Sequence, residues 1–487
     1  MKKILILLFI TGLFNPIFSQ KSDYSIKLKI KGMKDADCFL ISYFGNQRFY
    51  KDTAHFDNNG VVHFTGKKSQ LESGIYGVYS GGKVLFEILV DEPVIDIETD
   101  TIHFVKHMVV KKSEENKLFL EHLLYIENLQ ENATALREKH SNENTSEAEK
   151  KEIEKQLNDI ENDIKKYRIS IIEKHPTTFV ASIFKAMKEP ETTEFNEVKN
   201  DSLLRVLRYN YYKKHFFDEL DFADERLIRS PLYHNKLEKY FKSIVYPHPD
   251  SIITDVDFVI EKSKANKEIF KYSVHYLINY YEKSKIMGMD AVFAHIALKY
   301  YTHEQAYWAD STTIEKVQER ATKIYPLLLG KKSINLTLMD TASKNWVNMH
   351  EQKAAYTILI FWDPECGHCK KELPKIAAYY ETIKDKNVIV YAVSSDHNDA
   401  WKKFIRENKL DFINVAVPKD VYEDQKKATE YVLSGVTDLK SLNYSSTYDV
   451  FTTPQVYLLD KDKIFIAKKL DAELLQQVLD RELKNMK

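Results

Sequence analysis

"YTILIFWDPECGHCKKELPKIAAYYETIKD", residues 356–385, runs from an apolar stretch through a proline and two cysteines into a charge-rich segment. "YTILIFWD" reads as a buried strand and "CKKELPKIAAYYETIKD" as a helix, so Cys366 and Cys369 stand where strand hands over to helix. Downstream, "NVIVYAVSSD" is a second buried strand, "DAWKKFIREN" a helix and "FINVAV" a strand. An irregular polar stretch from 419 to about 447 precedes the strands "PQVYLLD" and "KIFIAKKL" and the helix "AELLQQVLDREL". With the strand "INLTLMD" ahead of it, this alternation predicts an α/β domain over residues 331–487.

Two other textures lie upstream. From Tyr24 to about Val110 the pattern has period two: "YSIKLKI" sets Tyr24, Ile26, Leu28 and Ile30 against Ser25, Lys27 and Lys29, and "CFLISYF", "GVVHFTG", "GIYGVYS", "KVLFEILV" and "VIDIETD" follow it. Short strands with Gly and Asn punctuation predict an antiparallel, sandwich-like β domain over 21–111. His63, His103 and His107 are scattered through it without metal-ligand spacing. Beyond Lys111 the period lengthens. Ile153, Leu157, Ile160, Ile164, Tyr167 and Ile171 form a seam at steps of four and three, and Ser146 with Glu149 has capping-box spacing. Two helices, 113–140 and 147–175, therefore open an all-α domain over 112–330 as an antiparallel hairpin, its seam used for packing within the chain. Aromatic-rich helical stretches such as "LRYNYYKKHFFDEL" and "VHYLINYYEKSK" continue it and read as core.

At 487 residues the chain is too long for one ordinary core. Lys and Arg number 71 against 72 Asp and Glu, leaving no global field to gather nucleic acid. The N-terminus, "MKKILILLFITGLFNPIFSQ", has two lysines, an apolar run and a polar end, the order of a secretory signal over residues 1–20. Asn15 and Pro16 interrupt the run short of the ~20 apolar residues a span requires, and no later stretch is long and apolar enough, so no membrane span is expected in the mature chain. No cysteine ends the leader, so lipid attachment there has no support. An exported chain with three cysteines is no disulfide scaffold.

Cys366 and Cys369, two residues apart on a first helical turn, lie close enough to bond. Orphan N–H groups and the helix dipole favour a Cys366 thiolate, and a lowered thiol pKa suits exchange with another disulfide. His368 between them, when cationic, would add to that effect. A zinc site would need two further ligands, and a purely structural bridge closing so tight a loop would contribute little. Redox use is the best-supported reading. Cys38, in a predicted strand, reads as a small buried apolar residue, with a regulatory or intermolecular thiol as the sharper alternative.

"FWDPECGHCKKELP", followed far downstream by "DVFTTPQVYLLD", resembles the thioredoxin-like domain of TlpA-type thiol:disulfide interchange proteins, over about 334–487. The layout ahead of it is similar to larger periplasmic members, a weaker match with no active-site motif. The resemblance implies that Cys366 is the attacking thiol and Cys369 the resolving one. Pro454, after Thr453, matches a cis-proline beside the disulfide, where the backbone of the preceding residue pairs with an extended substrate. Glu372 matches an acidic residue that tunes the thiols. Three positions after Cys369, it could exchange that residue's proton. Pro374 matches a helix kink, and Trp362, Gly367, His368 and Thr453 are placed as residues that tune the site. The match has departures: Ile360 stands where thioredoxin keeps a buried aspartate, Glu365 where Trp is usual before the first cysteine, and Gly-His between the cysteines as in protein disulfide isomerase.

The expectation is thus a multi-domain, exported, periplasmic thiol-disulfide oxidoreductase with a C-terminal thioredoxin-like domain, acting on protein thiols and disulfides. It needs no metal or organic cofactor, and a membrane redox partner recycles it. Two alternatives stay open. One is a partner- or ligand-binding protein whose α/β domain is only a scaffold. The other is a peroxiredoxin-like peroxidase, weakened because Asp363, and not Thr, stands three residues before Cys366.

Overall fold

The computed structural model describes residues 23–485 except 193, 194 and 196, so the expected leader at 1–20 lies outside the described residues. The chain divides into two compact units, one ending at Ile244 and one beginning at Val245.

Among the described residues of the first unit, eight strands form two sheets. They are β1 (Tyr24–Lys31), β2 (Asp37–Phe44), β3 (Gln47–His55), β4 (Val61–Gly66), β5 (Gly74–Ser80), β6 (Lys83–Val90), β7 (Val94–Asp100) and β8 (Val109–Lys112). The sheet orders are β4-β1-β7-β8 and β3-β2-β5-β6. Period two does what it should: Tyr24, Ile26, Leu28 and Ile30 of β1 are buried, and they share a core with Leu40, Tyr76, Val78 and Ile88 of the other sheet. Cys38 lies in this core, fully buried, and burial pushes its thiol up to about 12. One pairing departs from an all-antiparallel expectation. β1 and β7 run parallel, because the chain crosses to the other sheet for the β5–β6 hairpin and re-enters beside β1 in the same direction.

The hairpin follows as α1 (Glu114–Ser141) and α2 (Glu147–Lys174). Ser146 and Glu149 form the reciprocal cap, Ser146 N–H donating to Glu149 Oε2 at 3.1 Å and Glu149 N–H to Ser146 Oγ at 3.3 Å. Along the seam Ile153 and Ile171 are buried, the other members half-buried, and Tyr167 stacks on Tyr125 of α1 at 4.2 Å between centroids. α3 (Phe179–Met187), α4 (Asp201–His215) and α5 (Pro231–Lys239) follow in this unit.

The second unit opens with α6 (Pro249–Ser263), α7 (Lys267–Glu282), α8 (Asp290–Tyr300) and α9 (Ser311–Ile324). The helical part of the sequence is therefore divided between the two units. A seven-stranded sheet comes next: β9 (Thr337–Asp340), β10 (Trp346–Asn348), β11 (Tyr356–Trp362), β12 (Val388–Ser394), β13 (Ile413–Ala416), β14 (Gln455–Leu459) and β15 (Phe465–Lys468), in the order β10-β9-β13-β12-β11-β14-β15. β11 is central and every residue in it is buried, as the unbroken apolar run implied. Its alternate residues face two cores. Ile358, Ile360 and Trp362 pack with Leu373 and Ile376 of α10 (Gly367–Glu381), while Leu359 and Phe361 pack with Tyr391, Val393 and Tyr448. The last helix, Ala472–Asn485, lies along α10, with Leu475 and Leu479 in the first of these cores.

One reading of this region is corrected. The stretch from 419 to 447 is not irregular: it holds four short helices, Lys419–Glu423, Gln425–Leu433, Leu439–Leu442 and Tyr444–Thr447. They are too short to show an apolar stripe, and their signal lies in the caps, Asp424 accepting from Lys426 N–H and Asp438 from Ser441 N–H. The three-residue β10 also carried no periodic signal.

Candidate active site

β11 ends where Pro364 cannot continue the ladder. The turn that follows is closed locally: the Asp363 carboxylate accepts Glu365 N–H at 2.7 Å, and the Asp363 carbonyl accepts Cys366 N–H at 3.2 Å. Cys366 is thereby delivered to the N-cap position of α10 in extended backbone, φ −67° and ψ 126°. One turn on, Cys369 faces inward and is fully buried with Leu373 and Ile376.

The opposite wall comes from the chain's other end. Phe361 pairs with Gln455 across β11 and β14, so the residues just before Gln455 meet the turn that carries Cys366. Thr453–Pro454 is a cis peptide bond, and Cys366 Sγ lies 3.3 Å from the Thr453 carbonyl oxygen. Pro454 and Thr453, placed beside the cysteines by resemblance alone, are thus brought to them.

The two thiols have opposite environments. Cys366 is half-exposed, and its thiol is held below its ordinary value, chiefly by a hydrogen bond from the Thr453 side chain and then by the Cys369 and His368 N–H groups at the start of α10. Burial pushes Cys369 up to about 11, although Asp363 N–H reaches its sulfur at 3.5 Å. Both are free thiols in this structure, and a side-chain hydrogen bond joins them. Among the described residues no three His, Cys, Asp or Glu side chains gather closely enough to hold a metal ion.

The remaining sequence-selected residues surround this pair. Glu372 is occupied: one oxygen accepts Lys375 Nζ at 2.7 Å and the other Ala472 N–H at 3.0 Å, at the start of the last helix. Lys375 first, and then Ala472, hold its carboxyl below the usual range. Trp362 is buried against Phe404, 5.3 Å between centroids. His368 is exposed, Gly367 has open space where a Cβ would project, and Ile360 is buried in the same core as Cys369. Pro374 sits inside α10.

Sequence reasoning credited the thiolate to the helix start and His368, and missed the Thr453 side chain as the largest influence. It also missed Arg320 of α9, whose Nη1 lies 3.7 Å from Asp449 and whose Cζ stands 5.8 Å from the Phe451 ring, on the segment leading to Thr453. A contact so distant in sequence leaves no local signature.

Residues 329–467 match the AhpC/TSA family, and residues 139–324 match a domain of unknown function (DUF5106). Thiol-disulfide oxidoreductase ResA of Bacillus thuringiensis subsp. konkukian is 28% identical over 166 residues, 34% of this chain and 82% of that protein. Among solved structures, a domain of a possible thiol-disulfide isomerase from Cytophaga hutchinsonii is 36% identical, covering 33% of this chain and 97% of that one, with a TM-score of 0.26. A thioredoxin-like protein from Bacteroides caccae is 18% identical, covering 60% of this chain and 98% of that one, with a TM-score of 0.43.

Proposed function

From a C-terminal domain that belongs to the AhpC/TSA family and is thioredoxin-like, we propose that the protein is a thiol-disulfide oxidoreductase, exchanging disulfides with exported proteins through Cys366-Gly367-His368-Cys369. The observation that carries this is the asymmetry of the pair: an accessible sulfur whose thiolate is favoured, beside a buried sulfur whose thiolate is not. In the reducing direction the Cys366 thiolate attacks one sulfur of a substrate disulfide, a mixed disulfide forms, and the other substrate sulfur leaves as a thiolate and takes a proton. Cys369 then loses its proton and attacks Cys366, closing the Cys366–Cys369 bond and releasing the second substrate thiol. Two electrons and two protons pass to the substrate; the oxidising direction is the reverse.

In this reading Thr453 favours the attacking thiolate and presents its backbone, beside Pro454, to an extended substrate segment. Trp362 backs the site from the core, and Gly367 and His368 stand at its exposed rim. Glu372 acts through position, joining α10 to the last helix, and its proton exchange with Cys369 would require release from Lys375 and Ala472. A thiol or disulfide donor at the membrane recycles the pair, and export to a periplasm-like compartment supplies the substrates; no helix among the described residues is long and apolar enough to cross a membrane. Division into a β domain (21–111), a helical domain (112–330) and a thioredoxin-like domain (331–487) belongs to the same proposal, the first two serving docking or shielding. A peroxidase gains no support from position 363, where a carboxylate already accepts Glu365 N–H.

The test is capture. Cys369→Ala, expressed with its leader, should retain exported proteins as mixed disulfides on Cys366, and Cys366→Ser should retain none. Absence of any captured protein sinks the substrate assignment. Equal insulin reduction by wild type and Cys366→Ser sinks the activity and favours the scaffold reading.

A further inference from the structure

On the hairpin of the first unit, Lys165, Arg168, Ile169 and Ile172 recur along α2 at steps of three and four and share one face. With Phe184 and Met187 of α3, and Pro190 just beyond it, they line a cleft of about 350 Å³. That volume is in the range of small-molecule sites. The walls are largely apolar, and Ile169 and Met187 are left 41% and 39% exposed.

The charged side chains around the cleft are nearly all matched. Lys188 pairs with Glu219 at 2.7 Å, Glu189 with Lys239 and the Tyr212 hydroxyl, and Lys165 with Glu191 at 3.7 Å. Arg168 is the exception. Among the described residues its guanidinium has no carboxylate or carbonyl partner, Nε is buried without a hydrogen bond, and its contact is the Phe184 ring, 5.7 Å from Cζ. Burial pulls this guanidinium below its ordinary value with no anion to offset the effect. A half-buried cation left unmatched inside an apolar cleft is costly, and the cost is relieved by an incoming anion that brings its own apolar surface.

We propose that this cleft binds a small amphipathic carboxylate of the fatty-acid type, its head paired with the Arg168 guanidinium and its chain lying against Ile169, Ile172, Phe184 and Met187. The volume admits on the order of a dozen heavy atoms at about 30 Å³ each, a chain of eight to ten carbons. Arg168 offers the planar two-pronged donor that a carboxylate fits. The inference is independent of the thiol chemistry.

Isothermal titration calorimetry of the full chain with sodium octanoate, 1-octanol and acetate tests it. Octanoate should bind saturably, octanol at least about tenfold more weakly, and acetate without saturation. Arg168→Met should weaken octanoate by about tenfold or more while melting at the same or a higher temperature, because it removes an unmatched charge. Met187→Trp, which fills the cleft and keeps Arg168, should also lose binding, and it decides the matter should Arg168→Met fail to fold. Absence of saturable binding at millimolar octanoate, equal affinity for octanol, or undiminished octanoate binding by either folded variant overturns the proposal.

Discussion

Thr453→Val removes the hydroxyl that most favours the Cys366 thiolate while keeping a β-branched side chain and the carbonyl that lies 3.3 Å from the sulfur. A hydrogen bond to a charged group contributes about 1.5–3 kcal/mol in a dry site. Cys366 is half-exposed, so competition from water reduces this to about 1 kcal/mol, or about fivefold in thiolate population. The assay is the rate of iodoacetamide alkylation of Cys366 against pH. Where the wild-type rate still rises with pH, the variant should react about fivefold more slowly. The sign follows from the direction: Thr453 lowers the pKa, its loss raises it, and less thiolate is present at a given acidic pH. At high pH both sulfurs are ionised and the rates should converge. Superimposable profiles would show that the Thr453 hydroxyl does not reach the thiolate, leaving the start of α10 as its stabiliser.

Other parts of the molecule give expectations of different size. Glu372→Gln, replacing a carboxylate 21% exposed beside a Lys375 that is 64% exposed, should cost about 0.5–1 kcal/mol at pH 7 by denaturant titration. Because the folded carboxyl is depressed, that difference should shrink as pH falls below the ordinary glutamate value of 4.5; a difference that grows on acidification contradicts the assignment. Lys468→Met takes the buried ammonium away from a half-buried Asp290, whose side chain is 18% exposed, and should cost about 3 kcal/mol, whereas adding Asp290→Leu should recover most of it. Gly367→Ala should leave the melting temperature unchanged or raise it, since nothing beyond its chain neighbours and its own helix backbone lies within 4 Å of the added methyl and alanine favours helix; a fall marks a need for glycine that the backbone does not show.

What could be read from sequence followed the reach of each signal. The junction at Cys366 was legible because an apolar run, a proline and a helix-forming segment stand side by side, and the hairpin because Ser146 and Glu149 cap locally. Alternation along β1 gave its buried face but not its parallel partner, since strand pairing across a crossover leaves no periodic trace. The helices between 419 and 447 are each nine residues or fewer and announce themselves only through Asp424 and Asp438. The meeting of Thr453 with Cys366 came from family resemblance, because no local rule joins residues 87 apart. Spacing set Glu372 one turn beyond Cys369, yet it said nothing of Lys375 and Ala472 taking both carboxylate oxygens. Nothing in the sequence around Arg168 sets it apart from the other basic residues of its helix.

The measurement that bears most directly on the central claim is residue-resolved alkylation of the reduced protein from pH 6 to 9, read by mass spectrometry under native conditions. Cys366 should react faster than an ordinary cysteine at neutral pH, with Cys369, pushed up to about 11, and Cys38, pushed up to about 12, unmodified until the protein is unfolded. Equal labelling of Cys366 and Cys369, or a Cys366 slower than a free thiol, would contradict the asymmetry on which the exchange mechanism depends.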